Sequence, residues 1–399
     1  MAKSVLCRLI FCLCAASLVY GLPDTAIATG PPALPNQQHG ISGSDMQSTR
    51  YDRLAQALAD YRAIAGRGGW PAIPEGASLQ RGMQDAAVRL LRLRLAATGD
   101  LEPGTEVDPV FDQAVEAAVH RFQQRHGLAD DGIVGPRTRA ALNVPVEQRI
   151  EQLRINLERR AAMPDDLGPH YIFVNMADFT LKVVRDARTV LTMKIVVGTP
   201  YRQTPLFTAS MTYIDFNPYW NIPDRIAREE IVPRVRRDPG YLGEQGIRVL
   251  SGWIDNANEI APDRIDWFAD GGKSLPYRLR QDPGPLNPLG QVKFMFPNSF
   301  EIYLHDSPAK HLFATEVRTF SHGCIRIEKP VSLAAYLLPD LSSDQVRDIV
   351  VSGKRRVIHL AKPLTVYLTY LTAWVNKDRS VHFRKDVYGR DRLQTANLP

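Results

Sequence analysis

Ser321-His322-Gly323-Cys324-Ile325-Arg326 puts a thiol, an imidazole and a glycine turn side by side, and Tyr303-Leu304-His305-Asp306 places a second histidine a short way upstream. His305 ends a β-rich run, so the chemistry-bearing residues sit at the ends of strand signals. Working outward, the runs Tyr171-Ile172-Phe173-Val174 and Leu181-Lys182-Val183-Val184, then 190–197 and 209–216, are rich in β-branched and aromatic residues and are separated by Asn, Asp, Gly or Pro. The second half of the chain therefore reads as a sheet.

Cys324 stands apart in the cysteine count. The 399 residues hold four cysteines, and Cys7, Cys12 and Cys14 lie near the start. Lys3 and Arg8 flank an uncharged apolar run over 9–20, and Ala26-Ile27-Ala28 follows as a small-residue cleavage pattern. This reads as a signal peptide over 1–28. If it is removed, Cys324 has no partner, and if it is uncleaved the run serves as an inner-membrane anchor. A lone thiol in an exported chain is either an accident of the core or a retained nucleophile, since a structural role calls for a second cysteine. The net charge of +6 suits nucleic acid, anionic lipid or a carboxylate-rich polymer, and export removes nucleic acid from that set.

Between leader and sheet the pattern is helical. A Gly, Pro, Ser and Gln-rich stretch over 29–50 reads as a disordered tether. Leu54, Leu58 and Tyr61 recur at helical spacing in the segment 51–80 and stop at Gly66-Arg67-Gly68-Gly69. Residues 81–145 carry three helical patterns, through Val88, Leu91 and Leu95, then Phe111, Val115 and Phe122, then 138–142, and form a small three-helix domain. A linker helix over 146–168 follows, on Val146, Ile150, Leu153 and Leu157. The sheet domain spans 169–375, closes with a strand over 364–375 and is interrupted by an irregular, lid-like insertion at about 224–288. A C-terminal extension covers 376–399. The fold class is α+β, mainly β in the catalytic half.

A thiol becomes a nucleophile near neutral pH when a base or cation lowers its pKa, and histidine is the usual means. His305 and His322 are both candidates, and spacing alone does not choose between them. Gly323 lets the backbone turn so that amides near Cys324 can face an oxyanion, worth about 3 to 4 kcal/mol per donor. Arg326 either fixes a substrate carboxylate or braces the turn. Each residue also has a plain structural reading, such as an Arg326–Glu328 surface pair; their gathering around one exported cysteine argues for chemistry. His120 and His126 lack metal-ligand spacing, and no metal or organic cofactor is expected.

The set His305 with Ser321-His322-Gly323-Cys324-Ile325-Arg326 resembles the L,D-transpeptidase signature of YkuD-type bacterial cell-wall enzymes. Val197-Gly198-Thr199-Pro200-Tyr201-Arg202-Gln203-Thr204-Pro205 and Phe216-Asn217-Pro218-Tyr219-Trp220-Asn221-Ile222-Pro223 extend the likeness to the large Gram-negative branch, whose catalytic sheet carries a lid-like insertion. Arg121-Phe122-Gln123-Gln124-Arg125-His126-Gly127-Leu128, followed by Asp131-Gly132-Ile133-Val134-Gly135-Pro136, is similar to the peptidoglycan-binding three-helix domain. The resemblance implies a YkuD-like β-sandwich, Cys324 as nucleophile and His305 as base, with the Asp306 backbone carbonyl orienting the imidazole. His322, Gly323 and Arg326 would shape the oxyanion site, Ser321 would belong to the catalytic set, and Tyr303 and Trp220 would line the donor groove.

The activity so implied is a peptidoglycan L,D-transpeptidase, a cysteine acyltransferase of class EC 2.3.2.-, working in the periplasm of a Gram-negative cell in cell-wall and cell-shape maintenance. Cys324 would attack the diaminopimelate carbonyl of a tetrapeptide stem, expel D-alanine, and pass the acyl group to a diaminopimelate amine to give a 3-3 cross-link. Water as acceptor would make a carboxypeptidase, and a lipoprotein amine would make a wall-attachment enzyme. Two other classes compete. A papain-like peptidase orders cysteine before histidine, the reverse of this chain, and a non-catalytic wall-binding protein has no need of a thiol and base together.

Overall fold

The computed structural model describes residues 49–102, 104, 108–254, 256–269 and 275–392. The leader expected over 1–28 and nearly all of the tether expected over 29–50 lie outside them.

Helix α1 (Arg50–Gly66) starts on a capping box in which the Thr49 hydroxyl accepts from the Asp52 amide and the Asp52 carboxylate accepts from the Thr49 amide. The three-helix module consists of α2 (Ala86–Ala97), α3 (Gln113–His126) and α4 (Pro136–Leu142). Asp85 and Asp112 cap α2 and α3, and Gly127 ends α3 in the left-handed region at φ 65°. Val88, Leu91, Phe111, Val115 and Phe122 fill its core. Helix α5 (Val146–Ala161) returns along α1.

The catalytic half contains β1 (His170–Asn175), β2 (Thr180–Arg185), β3 (Arg188–Gly198), β4 (Phe207–Phe216), β5 (Trp220–Asn221), β6 (Ile247–Leu250), β7 (Glu259–Ile260), β8 (Arg278–Gln281), β9 (Val292–Met295), β10 (Leu304–His305), β11 (Thr319–Ser321), β12 (Ile325–Ile327), β13 (Arg356–Thr369), β14 (Ala373–Val375) and β15 (Val381–Phe383). Nine of them form one sheet in the order β11-β3-β12-β10-β9-β4-β13-β1-β2, and a further pairing of β3 with β2 closes it on itself. Long β3 makes the closure: residues 188–194 pair with β2, then Ile195 and Val196 pair with β12. Inside lie Ile214, Phe294, Leu304, Ile325 and Ile327. Because strand side chains alternate, the residues next to these in sequence point outward.

Two expectations need correcting. The segment 224–288, read as irregular, belongs with 220–223 to a folded subdomain that has a four-stranded sheet β5-β8-β6-β7 and a core of Ile222, Ala227, Ile231, Leu242, Val249 and Leu279. Its strands are two to four residues long, too short to show alternation. The run 364–375, read as one closing strand, is two elements. Strand β13 begins at Arg356 and ends at Thr369, and Ala373–Val375 pairs instead with β15. That hairpin packs Ala373, Val375 and Phe383 against Leu54, Leu58, Tyr61 and Leu153 of α1 and α5, forming a separate core.

Candidate active site

Register assembles the site. His305 pairs with Arg326 on one side and Lys293 on the other, and Lys293 pairs with Asp215. Leu304, Ile325 and Phe294 beside them face the core, so Arg326, His305, Lys293 and Asp215 form a charged row on the outer face. Cys324 and Tyr303 lie two residues before Arg326 and His305 and share that face. The Ile325 amide donates to the Tyr303 carbonyl at 3.1 Å, which sets Cys324 beside Tyr303 and diagonal to His305.

The turn carrying Cys324 is stapled from two sides. The Ser321 hydroxyl donates to the Cys324 carbonyl at 2.5 Å and accepts from the Gly323 amide at 3.1 Å. The buried Thr204 hydroxyl donates to the Gly323 carbonyl at 2.7 Å and accepts from the Gly198 amide at 3.0 Å. Gly323 adopts φ 123°, open to glycine and strained for other residues. At Gly198 a Cβ would lie 2.0 Å from the Arg202 carbonyl, so only glycine lets the 198–205 loop fold under the turn. The Tyr388 hydroxyl, donating to the Gly198 carbonyl at 2.7 Å, holds the loop from beneath.

Cys324 is the free cysteine among the described residues. Its Sγ faces the Glu301 carbonyl at 3.7 Å, and Glu301 sits at φ 56°, a costly conformation for a non-glycine residue. Burial raises the thiol pKa above its ordinary value; contacts from Tyr303 and the charge of Lys293 partly offset this. His305 is buried, and burial followed by the Arg326 charge lowers its pKa to about 3, against carbonyls of Asp306 and Leu289 that favour the protonated ring. Its Nδ1 has no well-formed hydrogen bond. At neutral pH both groups are uncharged at rest, so the site holds no preformed thiolate–imidazolium pair.

Asp306 is fixed by its own contacts. Its carboxylate accepts from the Gln291 amide at 3.0 Å and from the Lys310 ammonium. Gly290, at φ 62°, leaves room for it, since a Cβ there would lie 2.4 Å from Asp306 Oδ2. The remaining expected residues separate. The His322 ring points away to the insertion, with Nε2 2.5 Å from Glu230 Oε1. Arg202 also reaches Glu230 at 3.2 Å and Glu229 at 2.5 Å. The Gly323 amide is spent on Ser321. Arg326 stays on the face, its Nε buried without a partner. Trp220 packs on the insertion's core, while Tyr303 adjoins the thiol. In the helical module His120 Nδ1 bonds Asp130 at 2.5 Å and His126 Nδ1 bonds the Phe122 carbonyl at 2.8 Å.

Sequence reasoning passed over Lys293, Thr204 and the Arg202–Glu230 link. Lys293 had a signal, standing between core Val292 and Phe294 in a strand that alternates. Thr204 lay within the quoted 197–205 stretch.

Residues 169–354 match the YkuD family, described as the L,D-transpeptidase catalytic domain, and residues 84–142 match the "Putative peptidoglycan binding domain". A "Putative L,D-transpeptidase" of Haemophilus influenzae is 34% identical over 244 residues, 61% of this chain and 48% of that protein. The "Zinc D-Ala-D-Ala carboxypeptidase" of Streptomyces albus G is 39% identical over 84 residues, 21% of this chain and 31% of that protein. The chain thus spans about half or less of these relatives. A solved L,D-transpeptidase structure from Xylanimonas cellulosilytica aligns with 74% of this chain and 98% of its own at 16% identity and TM-score 0.21.

Proposed function

We propose that this chain, whose residues 169–354 are an L,D-transpeptidase catalytic domain, forms 3-3 cross-links in peptidoglycan through a thioester on Cys324. The observation that carries the proposal is a lone thiol on a stapled turn, sharing one outer face with a buried histidine on the neighbouring strand.

His305 acts as general base during attack rather than before it, since both groups start neutral. The Cys324 sulfur bonds to the carbonyl carbon of the third stem residue as its proton passes to His305. The oxyanion finds the Cys324 amide, which takes no intramolecular acceptor among the described residues, whereas the Gly323 amide is engaged. Collapse breaks the amide bond, and D-alanine leaves with the proton from His305. A diaminopimelate amine of a second stem then attacks the thioester, loses its proton to His305, and releases the thiol.

The 84–142 module supports the wall polymer as substrate. The charged, apolar and small-residue pattern over 1–28 supports export and, with it, work in the periplasm. Mass spectrometry of the protein with disaccharide-tetrapeptide tests the reading. Cross-linked dimer, D-alanine release and an acyl adduct on Cys324, all absent in Cys324→Ala, are expected. Tripeptide alone would make water the acceptor, a lipoprotein–muropeptide adduct would make a protein amine the acceptor, and no Cys324-dependent product would refute catalysis and leave a wall-binding protein.

A further inference from the structure

Lys293 stands in the charged row without a carboxylate paired to it, the charge of Asp215 acting on it at longer range. Its ammonium lies 3.9 Å from the centre of the Tyr303 ring, and the Tyr303 side chain contacts Cys324. Among the described residues no hydrogen bond or ion pair holds it. Asp215, its register partner, is engaged through both oxygens by Arg355, each at 3.0 Å. On the other side of His305, Arg326 has its Nε buried without a partner. Two partly buried cations therefore flank the imidazole, and no free carboxylate answers them.

Such an arrangement costs desolvation energy that the Tyr303 ring and the distant charge of Asp215 recover only in part. A ligand carrying negative charge would recover it, and the thiol fixes where that ligand reacts. In a tetrapeptide donor with its scissile carbonyl at Sγ, the leaving residue carries a carboxylate two bonds from the departing nitrogen. Tyr303 touches both groups, its ring under the ammonium and its side chain against the thiol.

We propose that Lys293 is a specificity-determining residue that binds the terminal carboxylate of the leaving D-alanine, and so restricts the donor to stems that end at that residue. The inference rests on the transpeptidase reading and deepens it. Lys293 exchanges no proton and forms no bond in the reaction; it holds one end of the donor while Cys324 and His305 do the chemistry. Burial and then Arg326 do most to keep His305 from accepting a proton, and carboxylate binding at Lys293 would offset the smaller contribution of its charge.

The test compares disaccharide-tetrapeptide with the same donor bearing a C-terminal amide in place of the carboxylate, reading kcat/KM for release of D-alanine or D-alaninamide. The wild-type protein should prefer the acid at least tenfold. Lys293→Met should lose that preference by losing activity on the acid alone, and Lys293→Arg, which keeps the charge, should retain much of it. An unchanged preference in Lys293→Met, or an equal loss on both donors, would overturn the assignment, the second result placing Lys293 in support of the thiol or the fold. Failure of the wild-type protein to release either product would overturn the transpeptidase reading together with this one.

Discussion

At the residue scale, burial keeps both Cys324 and His305 uncharged in the resting protein. Burial raises the Cys324 thiol and, with Arg326, lowers His305 to about 3. Alkylation of the resting protein by iodoacetamide should therefore accelerate about tenfold per pH unit through pH 6–9, with its inflection above the ordinary thiol value. A plateau already reached at pH 6–7 would mean a preformed ion pair and would refute this account. The Thr204 staple makes a second claim at this scale. Thr204→Val leaves the Gly198 amide and the Gly323 carbonyl without their buried partner, a cost of about 1–3 kcal/mol for each orphaned group. The urea midpoint should fall and Cys324 acylation should slow; an unchanged midpoint would show the loop to be held elsewhere. Cys324, His305 and the glycine turn were legible in the sequence because their chemistry is carried by residue type and order. The outward placement of Lys293 was legible from strand alternation, but its nearness to His305 and Tyr303 was not, since it depends on which strands pair.

Among the elements, the insertion is fastened to the catalytic turn by charge. Glu230 receives both His322 and Arg202, and Arg202 also holds Glu229. Glu229 and Glu230 lie in a five-residue π-helical turn, Ala227–Ile231, whose extra residue per turn breaks the α-helical spacing around them. These pairs are a third or more exposed on their acidic side, so each contributes little to global stability. Their effect belongs to the local opening of this segment. Glu230→Gln should speed amide hydrogen exchange across 224–235 severalfold with the global unfolding midpoint unchanged. If exchange in that segment stays the same, its own core and not the ion pairs holds the insertion down. The sequence could not show this contact, because Glu230 and His322 are 92 residues apart and neither stands out among charged surface residues. The insertion's strands escaped for the reason already given, while β1 to β4 were found because six to eleven residues suffice to display alternation.

Over the whole molecule, buried neutral histidines tie the helical module, the C-terminal hairpin and the catalytic sheet to one pH response. His126 of α3 stacks on Phe122 with ring centres 3.8 Å apart and lies 5.5 Å from Phe383 of β15, so it sits where module meets hairpin. Burial, then Arg125 and Arg149, lowers its pKa well below 6.5. His382 of the hairpin is lowered to about 4 by burial and Arg384, and His305 of the sheet to about 3. In the unfolded chain all three take up protons near pH 6.5, whereas the folded chain refuses them, so the unfolded state binds more protons below that pH. Stability is thus greatest above about pH 6.5 and declines on acidification, through about 4 for His382 and about 3 for His305. Buried His126 and His305 each contribute a slope of about 1.4 kcal/mol per pH unit once well below 6.5, and half-buried, solvent-screened His382 contributes less. Between pH 6.5 and 5 the carboxylates held low, such as Asp112 and Asp130, have not begun to titrate, so the histidines dominate the response. The urea midpoint should fall between pH 7 and pH 5, and His126→Phe, which keeps a ring between Phe122 and Phe383 but removes the titrating group, should make that fall shallower. A midpoint that stays level from pH 7 to pH 5, or an unaltered slope in His126→Phe, would show that the contact between module and hairpin opens enough water to the ring for it to protonate while folded.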